Sequence, residues 1–161
     1  MKLIKKKFLI EEGDFLNSGK WKSLDHHIQE AISAVTWPPE NEKFIIKPER
    51  NENGVGPIKE AFFKVLQDKG WEKEVRPRIA VNKRPGPVDG MYKFEDNGNF
   101  ALEWETGNIS SSHRAINKMC VGLLESKLKG GALVLPSKSL YEYLTDRVGN
   151  YPELVPYFPV W

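Results

Sequence analysis

Three carboxylates within residues 87–105 are the side chains whose types and spacing most plainly allow chemistry. Asp89 follows Pro87-Val88, and Glu103 and Glu105 sit two residues apart in Leu102-Glu103-Trp104-Glu105. Carboxylate oxygens are hard donors that suit Mg²⁺. A divalent ion held this way beside a phosphodiester can align a nucleophile, stabilise charge on the phosphate and help the leaving group depart.

The local pattern predicts how the acids are positioned. Phe100, Leu102 and Trp104 alternate with Ala101, Glu103 and Glu105, which predicts a half-buried strand with both glutamates on one face. A second alternating run, Val88 to Phe94, precedes it, and Asp96-Asn97-Gly98 lies between them, a strong hairpin signal. A two-residue loop at Asn97-Gly98 would pair Asp89 with Thr106 and place it opposite the glutamates' face. A three-residue loop, with Gly98 at the positive-φ bulge position, pairs Asp89 with Glu105 and leaves Glu103 diagonal, roughly 7–8 Å away. The three-residue loop is the expected register. Acids on an exposed strand face are more commonly just solvated, but three crowded on one face repel, and a cation relieves that.

The whole chain sets the bounds. Its 161 residues, 40% hydrophobic and 29% charged, predict one globular domain spanning 1–161. No apolar run approaches the roughly 18 residues of a membrane span. The basic start, Met1 to Lys7, leads only into Phe8-Leu9-Ile10 before Glu11-Glu12, too short for a signal-peptide core. A single cysteine, Cys120, excludes an internal disulfide and fits a reducing cytoplasm. The net charge of +2 identifies no partner, because a basic groove and an acidic centre cancel in the sum. Lys83-Arg84 and the N-terminal lysines are candidate phosphate contacts.

Around the acids, periodicity predicts a helix over about 23–35 stopped by Trp37-Pro38-Pro39, a short buried strand at Phe44-Ile45-Ile46, and a helix opened by Pro57. That second helix has a core stripe of Ile58, Ala61, Phe62, Val65 and Leu66 and is capped at Gly70. A strand is expected from Val75 to Val81. A helix over about 112–128 follows the hairpin, capped by Ser110, Ser111 or Ser112, ended by Gly130-Gly131, and offering Lys118, Leu124 or Glu125 to a partner. Ala132 to Leu135 reads as a buried strand. A short helix over about 139–146 follows, with Ser139 and Glu142 at capping-box spacing. Strands interleaved with helices indicate an α/β layer fold. Met119 and Cys120 read as core or interface, and His26 and His27 as surface.

Several ordered motifs resemble the BamHI-type restriction endonucleases. They are Gly54-Val55-Gly56-Pro57-Ile58-Lys59-Glu60, Pro87-Val88-Asp89, the run Glu103 to Arg114, and Tyr143 to Asn150 followed by Glu153 to Phe158. The resemblance runs from about Trp37 to Phe158. It implies a restriction-endonuclease-like α/β core with a mixed central sheet flanked by helices. The implied activity is Mg²⁺-dependent cleavage of a palindromic duplex, GGATCC, by a homodimer paired with a protecting methyltransferase, with two ions per site and Mn²⁺ able to substitute. It implies Asp89 and Glu103 as metal ligands with Glu74 as a further metal-site acid, and Glu105, where most related nucleases have lysine, as the group activating water. DNA contacts are implied at Asn108, Ser110, Arg114, Asp146 and Arg147, with Lys59 on a phosphate. An arginine donating to guanine O6 and N7 beside an acid accepting from cytosine N4 would read one G·C pair. BamHI-type chains continue past the segment matching Phe158, with another strand and a further base-contacting acid, so this sequence reads as a short member. A truncated, weakly catalytic DNA-binding protein and a structure-selective repair nuclease are the competing readings.

Overall fold

The computed structural model of the chain describes residues 1–38, 40–50, 52–80, 86–145 and 147–161. At its centre is a four-stranded sheet of order β1-β2-β3-β4, formed by Glu72–Val75, Val88–Lys93, Asn99–Trp104 and Gly130–Val134. The first three strands are antiparallel neighbours and β4 runs parallel to β3. A parallel pair needs a crossover, which helix α3, Ile109–Leu124, supplies. Phe100, Leu102 and Trp104 share a core with α1 (Gly19–Ala34) and α2 (Val55–Asp68). Ala101 and Met91 join a second core with α3 and the short α5, Tyr151–Leu154. Helices thus flank both faces of a mixed sheet, as the resemblance implied. Each fully buried Phe62, Phe63 or Phe100 contributes about 1.5–3 kcal/mol of transfer free energy. Among the described residues, no helix is long and apolar enough to cross a membrane.

Several elements differ from the sequence expectations. The first helix begins at Gly19 because Ser18 caps it, accepting from Trp21 N–H. Helix α2 begins at Val55, two residues before Pro57, and the proline sits in the first turn, where its missing N–H has no intrahelical acceptor. The helix ends at Asp68 with Lys69 as its C-cap, and Gly70 follows in the left-handed conformation at φ 86°, the glycine stop expected there. Phe44 forms only an isolated bridge to Trp37, and Ile45 is exposed, so no buried strand forms there. The strand expected over 75–81 lies earlier, at Glu72–Val75, and Val81 lies outside the described residues. Asn108, not a serine, caps α3, accepting from Ser110 and Ser111 N–H. That helix stops at Leu124, with Ser126 at φ 55°, and Gly130-Gly131 open β4 instead. Helix α4 is only Lys138–Tyr141, capped by Ser137.

One buried polar side chain fixes the segment leading to Arg147. Asn53 is fully buried; its Oδ1 accepts from Trp37 Nε1 and Lys47 N–H, and its Nδ2 donates to Lys47 O and Tyr143 O. Its backbone bonds to Tyr143 and Thr145 as well. A fully satisfied buried amide of this kind rigidifies its surroundings.

Candidate active site

The β2–β3 hairpin closes through Glu95-Asp96-Asn97, with Phe94 N–H donating to Gly98 O at 2.8 Å and Asn97 N–H to Phe94 O at 3.2 Å. Asn97, at φ 60°, takes the left-handed position. The loop is three residues long, as expected, but begins one residue earlier, because asparagine rather than Gly98 adopts the positive φ. The register is Gly90↔Leu102 and Met91↔Ala101, and its next pair sets Asp89 against Glu103. Asp89 is therefore directly opposite Glu103, and the expected Asp89–Glu105 pair does not form. Asp89 N–H points to Glu103 Oε2 (3.3 Å), and Trp104 N–H donates to Asp89 Oδ2 (2.9 Å).

Each acid is met by an ammonium from a different helix. Lys59 of α2 lies 2.6 Å from Asp89 Oδ1, and Lys118 of α3 lies 3.4 Å from Glu103 Oε1. Lys118 Nζ also donates to Pro87 O at 2.7 Å. Burial pushes the Glu103 carboxyl above the ordinary glutamate range; Lys118 opposes this and Asp89 adds to it. Glu105 lies just past the strand, its N–H bonded to Val134 O. Its carboxylate accepts from Gly107 N–H at 2.6 Å and from the buried Ser112 hydroxyl. Burial raises this carboxyl as well, against the lowering effect of those two donors. Ser112 leaves no room beside it: a Cβ at Gly149 would lie 2.5 Å from its Oγ.

Asp89, Glu103, Glu105, Ser110, Arg114 and Lys118 line one cleft of about 920 Å³. Asn108 stands at the N-terminus of the helix that carries the last three. Glu74 is exposed on β1 at φ 55°, unpaired in the ladder between Lys73↔Gly90 and Val75↔Val88, and it is not among the residues that line the cleft. Arg147 is exposed beyond α4. Asp146, Lys83 and Arg84 lie outside the described residues. Lys118, expected on a partner-facing surface, is turned into the cleft. Glu125 pairs with Lys127 and accepts from Ala80 N–H, while Leu124 stands exposed. The other large cavity, about 310 Å³ beside the N-terminal segment, is mainly apolar and contains neither strand acid.

Among the described residues, no three acidic, histidine or cysteine side chains form a ready-made metal cage. Mg²⁺ does not require one, because it is usually bound by one or two carboxylates, waters and substrate phosphate oxygens. Asp89 and Glu103, opposite each other at the cleft wall, fit that donor set, and in this structure Lys59 and Lys118 balance their charge. Sequence reasoning missed Lys118 and Ser112. Their spacing from Glu103 and Glu105 has no periodic signature, and only the packing of α3 on the sheet brings them there.

Comparison with known proteins places the chain in a family. The family model described as restriction endonuclease BamHI matches residues 1–161. The type II restriction enzyme OkrAI of Oceanobacter kriegii is 56% identical over 136 residues, covering 84% of this chain and 70% of that protein. The type II restriction enzyme BamHI of Bacillus amyloliquefaciens is 36% identical over 164 residues, covering 96% of this chain and 77% of that protein. With its acid-bearing hairpin, mixed sheet and full-length family match, the chain belongs to the BamHI family of type II restriction endonucleases.

Proposed function

We propose that this protein hydrolyses both strands of a palindromic DNA duplex, GGATCC, as a cytoplasmic Mg²⁺-dependent homodimer paired with a methyltransferase that protects the host site. The observation that carries the reading is the hairpin register that sets Asp89 against Glu103 in a cleft also lined by Ser110 and Arg114. The names of the two relatives support the same reaction class. A palindrome is matched by a two-fold protein axis, and the α3 side, with its exposed Leu124, is the surface we assign to the partner subunit.

Asp89 and Glu103 would hold the divalent ion, and Glu74 on β1 is the further acid we assign to it. The ion supplies charge neutralisation for the phosphate and the leaving oxygen. Glu105 has its carboxylate fixed by Gly107 N–H and Ser112, and it takes the proton of the attacking water. Its proton affinity, raised by burial, strengthens it as a base. Asn108, Ser110 and Arg114 bind the duplex from the first turns of α3, Lys59 contacts a phosphate, and Asp146 and Arg147 read a G·C pair.

The test is digestion of a plasmid carrying one GGATCC site, with Mg²⁺, with Mn²⁺ and with chelator. Discrete metal-dependent cutting at that site supports the reading. Binding without cutting would instead make the protein a DNA-binding member that has lost catalysis. Cutting governed by DNA structure rather than sequence would make it a repair-type nuclease.

A further inference from the structure

We propose that Lys118 supplies, from helix α3, the active-site ammonium that the strand lacks, and that it binds a non-bridging oxygen of the phosphodiester beside Glu103. The proposal rests on the nuclease reading above. The strand position two residues after Glu103 holds Glu105, whose carboxylate is turned to Gly107 and Ser112. No cation comes from the strand itself. Lys118 lies at the cleft wall, 2.7 Å from Pro87 O, 3.5 Å from Gly86 O and 3.4 Å from Glu103 Oε1.

The two lysines are held differently. Lys59 makes a 2.6 Å ion pair with Asp89, so a divalent ion on that oxygen would compete with it. Lys118 makes its short bond to a neutral carbonyl and only a longer one to Glu103, and its side chain remains 20% exposed. It keeps its anchor when Glu103 turns to another cation, and an ammonium has three donors to share. Ser110, Arg114 and Lys118 follow one another at i, i+4 and i+8, which places them on one face of α3. All three line the cleft. The DNA-facing row expected from Ser110 and Arg114 thus extends one turn further, to the acids.

The test uses the full chain with Lys118→Met and Lys118→Arg. Affinity for a GGATCC duplex is measured in chelator over a salt series, and single-turnover cleavage is measured in Mg²⁺. Loss of one phosphate contact lowers the slope of log affinity against log salt by about one. Lys118→Met is expected to show that change and to cut at least about a hundredfold more slowly, as loss of a stabilising charge at a transferring phosphoryl group does. Lys118→Arg is expected to keep the slope. An unchanged slope in Lys118→Met overturns the proposal, because the lysine is then only a counter-ion for Glu103. A cleavage rate within about threefold of the parent's overturns it as well. If the parent cuts no duplex, the nuclease reading fails instead, and the metal-free salt slope still decides whether Lys118 touches phosphate.

Discussion

Lys59 Nζ lies 2.6 Å from Asp89 Oδ1, with the lysine side chain 16% and the aspartate 20% exposed. The ammonium occupies the space that a cation on Asp89 would need, and it is long enough to swing to a phosphate. On the proposed reading, metal and lysine compete for Asp89, and a phosphate that draws Lys59 away would free the carboxylate. Lys59→Met is expected to tighten Ca²⁺ binding to the DNA-free protein. A partly exposed pair is worth about 1 kcal/mol or less, so the gain is up to about fivefold. The same change weakens DNA binding and lowers the salt slope by about one. Calorimetric titration with Ca²⁺ checks the first part; equal or weaker Ca²⁺ affinity in the variant shows that Lys59 and the ion do not compete.

Asp89→Ala and Glu103→Ala are expected to reduce cleavage by about a thousandfold or more, because on the proposed reading each removes an oxygen ligand of an ion that supplies several kcal/mol of transition-state stabilisation. DNA binding in chelator survives or tightens, since each change also removes a negative charge beside the phosphates. Gel-shift and cleavage assays on one duplex separate the two effects. A variant that cuts at close to the parent's rate shows that the acid holds no essential ion.

The sign of the pH dependence follows from Glu103. Its carboxyl titrates above the ordinary value of 4.5, chiefly through burial. Between 4.5 and the raised value the folded protein holds a proton that the unfolded chain has lost. Stability therefore falls as pH rises through that window. Glu103→Gln removes this titration, so the metal-free variant is expected to be more stable than the parent at neutral pH. The advantage shrinks as pH is lowered towards 4.5. Denaturant midpoints across pH check this; an advantage that grows on acidification has the wrong sign for a raised carboxyl.

Much of the site was legible because strand chemistry is local. Alternation at Phe100-Leu102-Trp104 established the strand and its two faces, and even the wrong register kept Asp89 on the glutamates' face. A shift of two in the pairing sum preserves parity. The pairing partner differs from the expected one because Asn97 competes with Gly98 for the left-handed position. Phe44-Ile45-Ile46 failed as a strand because apolarity alone supplies no neighbour to pair with. The cap of α3 is Asn108 and not one of the three serines nearer the expected start, because the Asn108 side chain meets two N–H groups at once. Lys118 and Asn53 were out of reach for a different reason. Their partners lie 15 and 90 residues away in sequence, and only the packed fold joins them.

Ser112 offers the most selective test of how Glu105 is used. The hydroxyl and Gly107 N–H bond to different oxygens of the carboxylate, so the group is fixed in orientation from both sides. Ser112 itself is fully buried and touches neither Asp89 nor Glu103 in any hydrogen bond among the described residues. Ser112→Ala leaves one oxygen without its donor, a loss of about 1.5–3 kcal/mol for a bond to a charged group. The expected outcome is a cleavage rate roughly tenfold or more below the parent's, with DNA affinity and Ca²⁺ affinity unchanged. Ser112→Cys keeps nearly the same volume with a weaker donor and should remain slow. Single-turnover rates and binding isotherms on the same duplex distinguish the cases. If cysteine restores the parent's rate, the site needs the volume of the side chain and not its hydrogen bond. If binding falls by the same factor as the rate, Ser112 supports the start of α3 in general rather than the orientation of Glu105.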